Sequence, residues 1–308
     1  MSSFERGETY SKWSTIRDYD GTKVDPATVK ISIVDPCGTT VLNAASMTKD
    51  DTGIYYYDHA LDSSATYGIY KTTVAATAAA AQIGKQEDEF FVMPWKISAD
   101  IRRKIGLYDE KEISDNDLDH ISWSAYQESL HDLCVHHYMD SALGNPDTGE
   151  TFDGDNTSFK TRHIPIADIG GDGQTLGNSV ACTADITGWW IDENGHRNDL
   201  TISISQVENG EITITQDDGS TAIPADHEGV YLDYWSRPQE YNEFIFREAV
   251  AYLGCHYLAI RLQGRENLTI ANLGANQQVI VNDPERYYKE YRRKMRMINT
   301  PKIGGGSG

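Results

Sequence analysis

The chain has 308 residues and sets 27 Lys and Arg against 47 Asp and Glu, a net charge of −20. That length allows two domains with sizeable cores, while the acid excess disfavours non-specific nucleic-acid binding by the body of the protein, because phosphate contacts need a net positive surface. No apolar run of about 18 residues occurs, and the opening "MSSFERGETYSKW" lacks an apolar signal core, so neither a membrane span nor conventional secretion is expected.

The acids are weighted towards Asp, 29 against 18 Glu. Self-repulsion at that density is tolerated best where salt screens it, which fits a halophilic source as well as an ordinary acidic protein. Cys37, Cys134, Cys182 and Cys255 are far apart and form no CxxC pair. They read as free thiols in a reducing cytoplasm rather than as a zinc site or a disulfide framework.

From Glu5 to Val92 the sequence predicts short strands. "TYSKWSTIRDYDG" reads as a strand ending in a turn, and "DPATVKISIVDPCG" alternates Val29, Ile31 and Ile33 between Asp-Pro turns. "DTGIYYYDHAL" puts Tyr55, Tyr57 and His59 on one face, "YGIYKTTVAA" alternates Tyr70, Thr72 and Val74, and "EDEFFVMP" ends the run. Period-two alternation broken by frequent turns is the pattern of a small β-sandwich. The Ala-rich "AATAAAAQIG" is read as a loosely paired connection and not a helix, given its Thr and the stop at Gly84.

Pro94 marks a boundary. "SADIRRKIGL" predicts a short helix capped by Ser98, whose hydroxyl can accept an orphan amide. "SDNDLDHISWSAYQESLHDLCVHHYMDSALG" predicts a longer one, with Asp115, Asp117 and Asp119 at the positive end of the helix dipole and Gly144 and Pro146 as its stop. On such a helix His131, Cys134 and His137 could share a face as zinc ligands, but a core cysteine between solvated or interfacial histidines explains them without a metal. From Asn145 to Pro238 the pattern returns to β. "LTISISQV" and "EITITQ" flank Asn209-Gly210, and that dipeptide tolerates the positive φ of a two-residue hairpin turn.

In "QEYNEFIFREAVAYLGCHYLAIRLQG" two stripes run side by side: Ile245, Ala249, Tyr252, His256, Ala259 and Phe246, Val250, Leu253, Tyr257, Ile260. Their combined face is wider than an ordinary surface helix needs. It must be covered on more than one side, by the chain itself or by another subunit. Gly264 is its predicted end. The last helix starts at Asp283-Pro284, a cap followed by proline at the first helical position. It has an apolar stripe of Tyr288, Tyr291, Met295 and Ile298, Lys289, Arg293 and Arg296 on another side, and a stop at Pro301 before "KIGGGSG". From Pro284 to the end there are seven basic residues against two acids.

No catalytic constellation emerges. "NPDTGETFDGDN" and "GGDGQTLGN" offer Asp and Gly that could hold calcium, but Asx turns account for them and neither has EF-hand spacing. "IGGDGQTLG" lacks the Gly-Lys-Ser/Thr of a phosphate loop, and neither GxSxG nor HExxH occurs. No cofactor is expected, and the chain reads as a non-enzyme.

The order of elements resembles the head–tail connector (adaptor) proteins of tailed viruses. "HDLCVHHYMD" followed by "ETFDGDNTSFKTRHIPIADIG" is similar to that family's DGDGTxxxxxxxxPI approach to an inserted β segment. "GWWIDENGHRNDLTI" and "GVYLDYWSRP" look like the hairpins that close the insertion, and "FREAVAYLGCHYLAIRL" with "YYKEYRRKMRM" like the closing helix and its basic continuation. The leading strands resemble immunoglobulin-like domains of virion proteins, and the acidity suggests an archaeal virus.

The resemblance implies an α+β chain. An immunoglobulin-like sandwich (1–94) precedes a helical core (95–144 and 239–283) that carries a β-rich insertion (145–238) and ends in a basic helix and extended tail (284–308). It implies a virion neck protein assembled in the host cytoplasm into a ring of about twelve copies. The ring would lie between a portal protein and a downstream neck or tail protein, and double-stranded DNA would pass through it without specific binding. Arg286, Lys289, Tyr291, Arg292, Arg293, Lys294, Arg296, Lys302 and Ile303 would dock on the portal, and Phe246, Val250, Leu253, Tyr257 and Ile260 would line the subunit interface. A neck stopper or tail terminator is a near neighbour of this reading. A glycan-binding adhesin stacking sugars on Trp189, Trp190 and Tyr55 to Tyr57 is the alternative of a different class.

Overall fold

A computed structural model of the chain describes residues 2–78, 81–106, 113–144, 158–167, 186–206, 209–216, 229–238, 241–263 and 283–299. Among the described residues the protein is α+β, largely sheet with four helices, and it divides into two compact units. One comprises residues 1–94 with 136–237, the other 95–135 with 238–308.

In the first unit, residues 2–94 form a β-sandwich. One sheet has the order β1 (Ser3–Phe4), β8 (Ala81–Val92), β7 (Gly68–Ala78), β3 (Thr28–Val34), β4 (Thr40–Ser46). The other runs β2 (Thr9–Thr15), β6 (Ile54–Ala60), β5 (Thr48–Asp51). The alternation along β3 and β7 points Val29, Ile31, Ile33, Tyr70 and Val74 inward, where they meet Tyr10 and Tyr55 of the opposite sheet in one core. Tyr10 stacks on Phe90 at 4.0 Å and its hydroxyl lies 3.4 Å from Thr72 Oγ1, so burial pushes this phenol up to about 12. Lys12 is also buried, and its ammonium donates to Asp88 at 2.9 Å. The Ala-rich segment is paired, as expected, and not helical: Ala75 to Ala78 and Ala81 onwards are strand ends of the β7–β8 hairpin, with a register shift between Ala76 and Thr77.

The second sheet system of this unit orders β10 (Leu143–Gly144), β11 (Ser158–Lys160), β15 (Glu211–Gln216), β14 (Arg197–Gln206), β13 (Thr187–Ile191), β16 (Gly229–Ser236) and β12 (Ile166–Ala167), with β9 (Val135–Ser141) also on β16. Phe159, Trp190, Ile202, Ile212, Ile214, Leu232 and Tyr234 form its core. Gly188 is required here, since a Cβ at that position would lie 2.6 Å from Ile202 Cδ1. The β14–β15 pairing forms, but its turn is longer than two residues. Gln206 pairs with Glu211, the ladder shifts register after Ile204, and of the Asn-Gly pair only Gly210 has positive φ (67°).

The second unit holds α1 (Ser98–Ile105), α2 (Asp115–Leu133), α3 (Glu243–Gln263) and α4 (Pro284–Asn299). Ser98 does not cap α1: it is the first helical residue, and the cap position is Ile97, whose buried side chain fixes the start by packing instead. Gly106, at φ 83°, closes α1 with its N–H on the Arg102 carbonyl. Ser114 caps α2 by accepting the Asp117 N–H at 3.2 Å, and Asn242 does the same for Ile245 at 3.1 Å at the head of α3. α2 is shorter than expected. It stops at Leu133, Cys134 turns extended (φ −87°, ψ 157°), and Val135 onwards becomes β9, because pairing with β16 outcompetes continued helix. His131, Cys134 and His137 therefore share no helical face, and among the described residues no group of three or more His, Cys, Asp or Glu could hold a metal. The division expected at residue 144 moves back to 135 for the same reason.

The wide apolar face of α3 is covered within its own unit. Phe246, Ala249, Val250, Leu253, Leu258 and Ala259 are buried, and Gly254 lets α1 approach so closely that a Cβ would sit 2.4 Å from Ile101 Cδ1. Cys134 and Cys255 are free and buried, as the thiol reading had them, but Cys37 is disulfide-bonded. The uniform free-thiol expectation is corrected there, and with it the argument for a reducing compartment. Cys182, the Asp- and Gly-rich loops, Gly264, Pro301 and the terminal "KIGGGSG" lie outside the described residues.

Candidate functional site

α4 brings most of the predicted docking residues together on one helix. Asp283 caps it, with its carboxylate accepting the Glu285 N–H at 3.1 Å and its carbonyl the Arg286 N–H at 2.9 Å. Pro284 follows at the position where a missing N–H costs nothing. The buried stripe is Tyr287, Tyr291 and Met295, one residue round from the expected start at Tyr288, which lies half-buried against His256. Tyr291 donates to Asp132 at 2.7 Å, and burial followed by that carboxylate raises its phenol far above the ordinary range. Lys294 pairs closely with Glu248 of α3. Tyr291 and Lys294, both expected to face a partner, are thus spent on internal packing.

The outward side of α4 carries Arg286, Lys289, Arg292, Arg293 and Arg296, all exposed. Arg293 holds Glu290 at 2.7 Å and Arg292 reaches Asp132 at 3.5 Å, whereas Arg286 and Lys289 have no acidic partner among the described residues. Lys302 and Ile303 lie outside the described residues. Of the expected subunit-interface stripe, Phe246, Val250 and Leu253 have no exposed surface, Tyr257 is half-buried with its hydroxyl on Glu128, and Ile260 stays 49% exposed.

Beside α4 opens a cavity of about 400 Å³ lined by Lys104, Tyr252, Arg286, Tyr287 and Glu290. The Lys104 ammonium sits 4.0 Å over the Tyr252 ring and 3.8 Å from Glu248. Nothing in the sequence marks it, because its walls come from three separate helices.

A second cluster lies on the eight-stranded sheet, where β9 meets β16. His137 and His163 stack face to face, with centroids 4.0 Å apart and planes 5° apart. His137 Nε2 lies 2.7 Å from Ser236 Oγ, and His136 pairs closely with Asp233 while stacking on Trp235. Tyr234 donates to Asp140 at 2.7 Å and accepts the His163 N–H at 3.0 Å. Burial, then the neighbouring His163, lowers the His137 pKa, which leaves it a neutral imidazole at neutral pH. The Ser236–His137 pair does not make a hydrolytic triad, since the nearest carboxylate, Asp140, serves Tyr234, His163 and Arg162. The His-His doublet was visible in the sequence, but its partner His163 arrives only through strand pairing.

No protein-family model matches the chain, and no curated protein does. Among solved structures it is similar to the Lin-41 filamin domain, at 18% identity over 30% of this chain and 85% of that one, with a TM-score of 0.24. It is also similar to Escherichia coli α2-macroglobulin activated by porcine elastase, at 13% identity over 78% of this chain and 18% of that one (TM-score 0.26). A third is a tetra-tandem repeat from the extending region of a large adhesion protein, at 15% identity over 66% of this chain and 36% of that one (TM-score 0.21). The matched region is a small part of the macroglobulin and adhesion chains, and at these TM-scores the likeness carries no weight for function.

Proposed function

We propose that the chain is a structural adaptor of the head–tail connector kind, with an immunoglobulin-like sandwich at its front and a ring-forming helical core that docks on an acidic partner through α4. The observation that carries this reading is the exposed cationic side of α4 on a chain of net charge −20, anchored underneath by Tyr287, Tyr291 and Met295. Arg286 and Lys289, which pair with no acid among the described residues, are available to a second, acidic surface. Repeated round a ring, individually weak contacts add up to one firm attachment. Ile260 offers exposed apolar surface for contact between copies.

Electron microscopy of the purified full chain tests the ring. Binding to a portal protein, with Arg286, Lys289, Arg292 and Arg296 all changed to Glu, tests the docking. A ring and a loss of docking on charge reversal are expected; a monomer that binds no portal overturns the reading.

The glycan-binding alternative has one observation in its favour. Trp13, 53% exposed, stacks on Tyr56 at 5.1 Å across the β2–β6 pair. Trp189, Trp190 and Tyr55, expected to meet sugars, are buried. Saturable glycan binding lost in Trp13→Ala would support that alternative.

A further inference from the structure

The cavity between α1, α3 and α4 has a charge imbalance among the described residues. Lys104 is mostly buried, its side chain 17% exposed, and its nearest carboxylate, Glu248, is held more closely by Lys294. Two ammonium groups therefore share one carboxylate. Asp100, on the same helix as Lys104, is occupied by Arg103 and Arg247. On the opposite wall Arg286 has no acidic partner among the described residues, while Glu290 is engaged by Arg293. Of the described residues that line the cavity, two are cationic (Lys104, Arg286) and one is acidic (Glu290), and that acid is already committed. A mostly buried ammonium with a shared counter-charge is costly unless an anion completes it.

We propose that this cavity is a receptor for a carboxylate side chain, presented by an acidic segment of a protein partner. It rests on the docking reading above and gives that reading a specific anchor. Lys104 and Arg286 would clasp the carboxylate from two sides, and the Tyr252 and Tyr287 rings would flank its methylene stem. The two rings suit a carboxylate on a methylene stem better than inorganic phosphate, which has no apolar part to lie against them. Tyr287 donates to the Lys104 carbonyl at 3.4 Å and so ties the two walls together without using the ammonium.

The test is a calorimetric titration of the full chain at low salt with an acetylated tetraglutamate amide and, separately, with inorganic phosphate. The peptide is expected to bind, with Lys104→Gln and Arg286→Gln each weakening it by about tenfold, the loss of one charge-assisted hydrogen bond. Lys30→Gln together with Lys71→Gln, two exposed lysines on β3 and β7 of the sandwich, should leave the peptide affinity within about twofold. Equal peptide binding in all variants, or phosphate binding as tightly as the peptide, overturns the proposal. Portal docking that survives Lys104→Gln sinks the receptor and leaves the adaptor reading standing. Cavity-dependent peptide binding in a chain that forms no ring does the reverse.

Discussion

Replacing His163 by Gln should make the β9–β16 pairing less sensitive to acid. The two imidazoles stack at 4.0 Å, and two unit charges at that separation repel by about 1 kcal/mol in bulk water and about 4 kcal/mol near a protein surface. The His163 side chain is 47% exposed, so solvent screening puts the cost of a doubly protonated stack towards the lower end, about 1–2 kcal/mol. Burial is the larger cause of the lowered His137 pKa and the neighbouring His163 the second, while Asp140 works in the opposite sense. The folded state therefore binds a proton at His137 less readily than the unfolded chain. Its stabilising contribution is complete above the ordinary histidine value of about 6.5 and is lost as the pH falls from there through the lower folded-state value.

His59, in the sandwich, also has a lowered pKa through burial. A global melting curve mixes the two, so the assay is an NMR titration of the individual imidazole Cε1 protons from about pH 8 to pH 5. In His163→Gln, His137 should titrate at higher pH than in the parent, with burial alone still holding it down. Identical His137 midpoints in the two proteins would refute the electrostatic account of the stack.

Two further outcomes concern stability. Gly254→Ala gains about 1 kcal/mol of helix propensity but drives a Cβ into Ile101, an overpacking cost of about 1–3 kcal/mol, so a lower Tm is expected and Ile101→Val should recover part of it; a rise in Tm for the single variant would contradict the close α1–α3 approach. Asp88→Asn leaves the buried Lys12 ammonium without its carboxylate and should cost about 1–3 kcal/mol in denaturant melts. The double variant with Lys12→Met should lose less than the single one, and equal losses would mean that the pair is not coupled.

Period and punctuation by themselves determined a great deal of this protein. The alternation of Val29, Ile31 and Ile33 and of Tyr70, Thr72 and Val74 named the inward faces of β3 and β7, because a strand's side chains have a period of two whatever they pack against. Asp283-Pro284 fixed the start of α4, because capping is a contact between residues a few positions apart. The same reasoning named the cationic side of that helix from spacing alone.

What only the tertiary structure decided depends on partners distant in sequence. Local propensity would carry α2 through His136 and His137, and only the presence of β16 turns them into a strand and sets His137 against His163. Whether the broad face of α3 met its own chain or another copy was undetermined by its stripes, since a stripe states that burial is needed and not what supplies it. The same holds for Tyr291 and Lys294: a residue's type says what it can bond, but Asp132 and Glu248 had to be brought within reach before either bond could form.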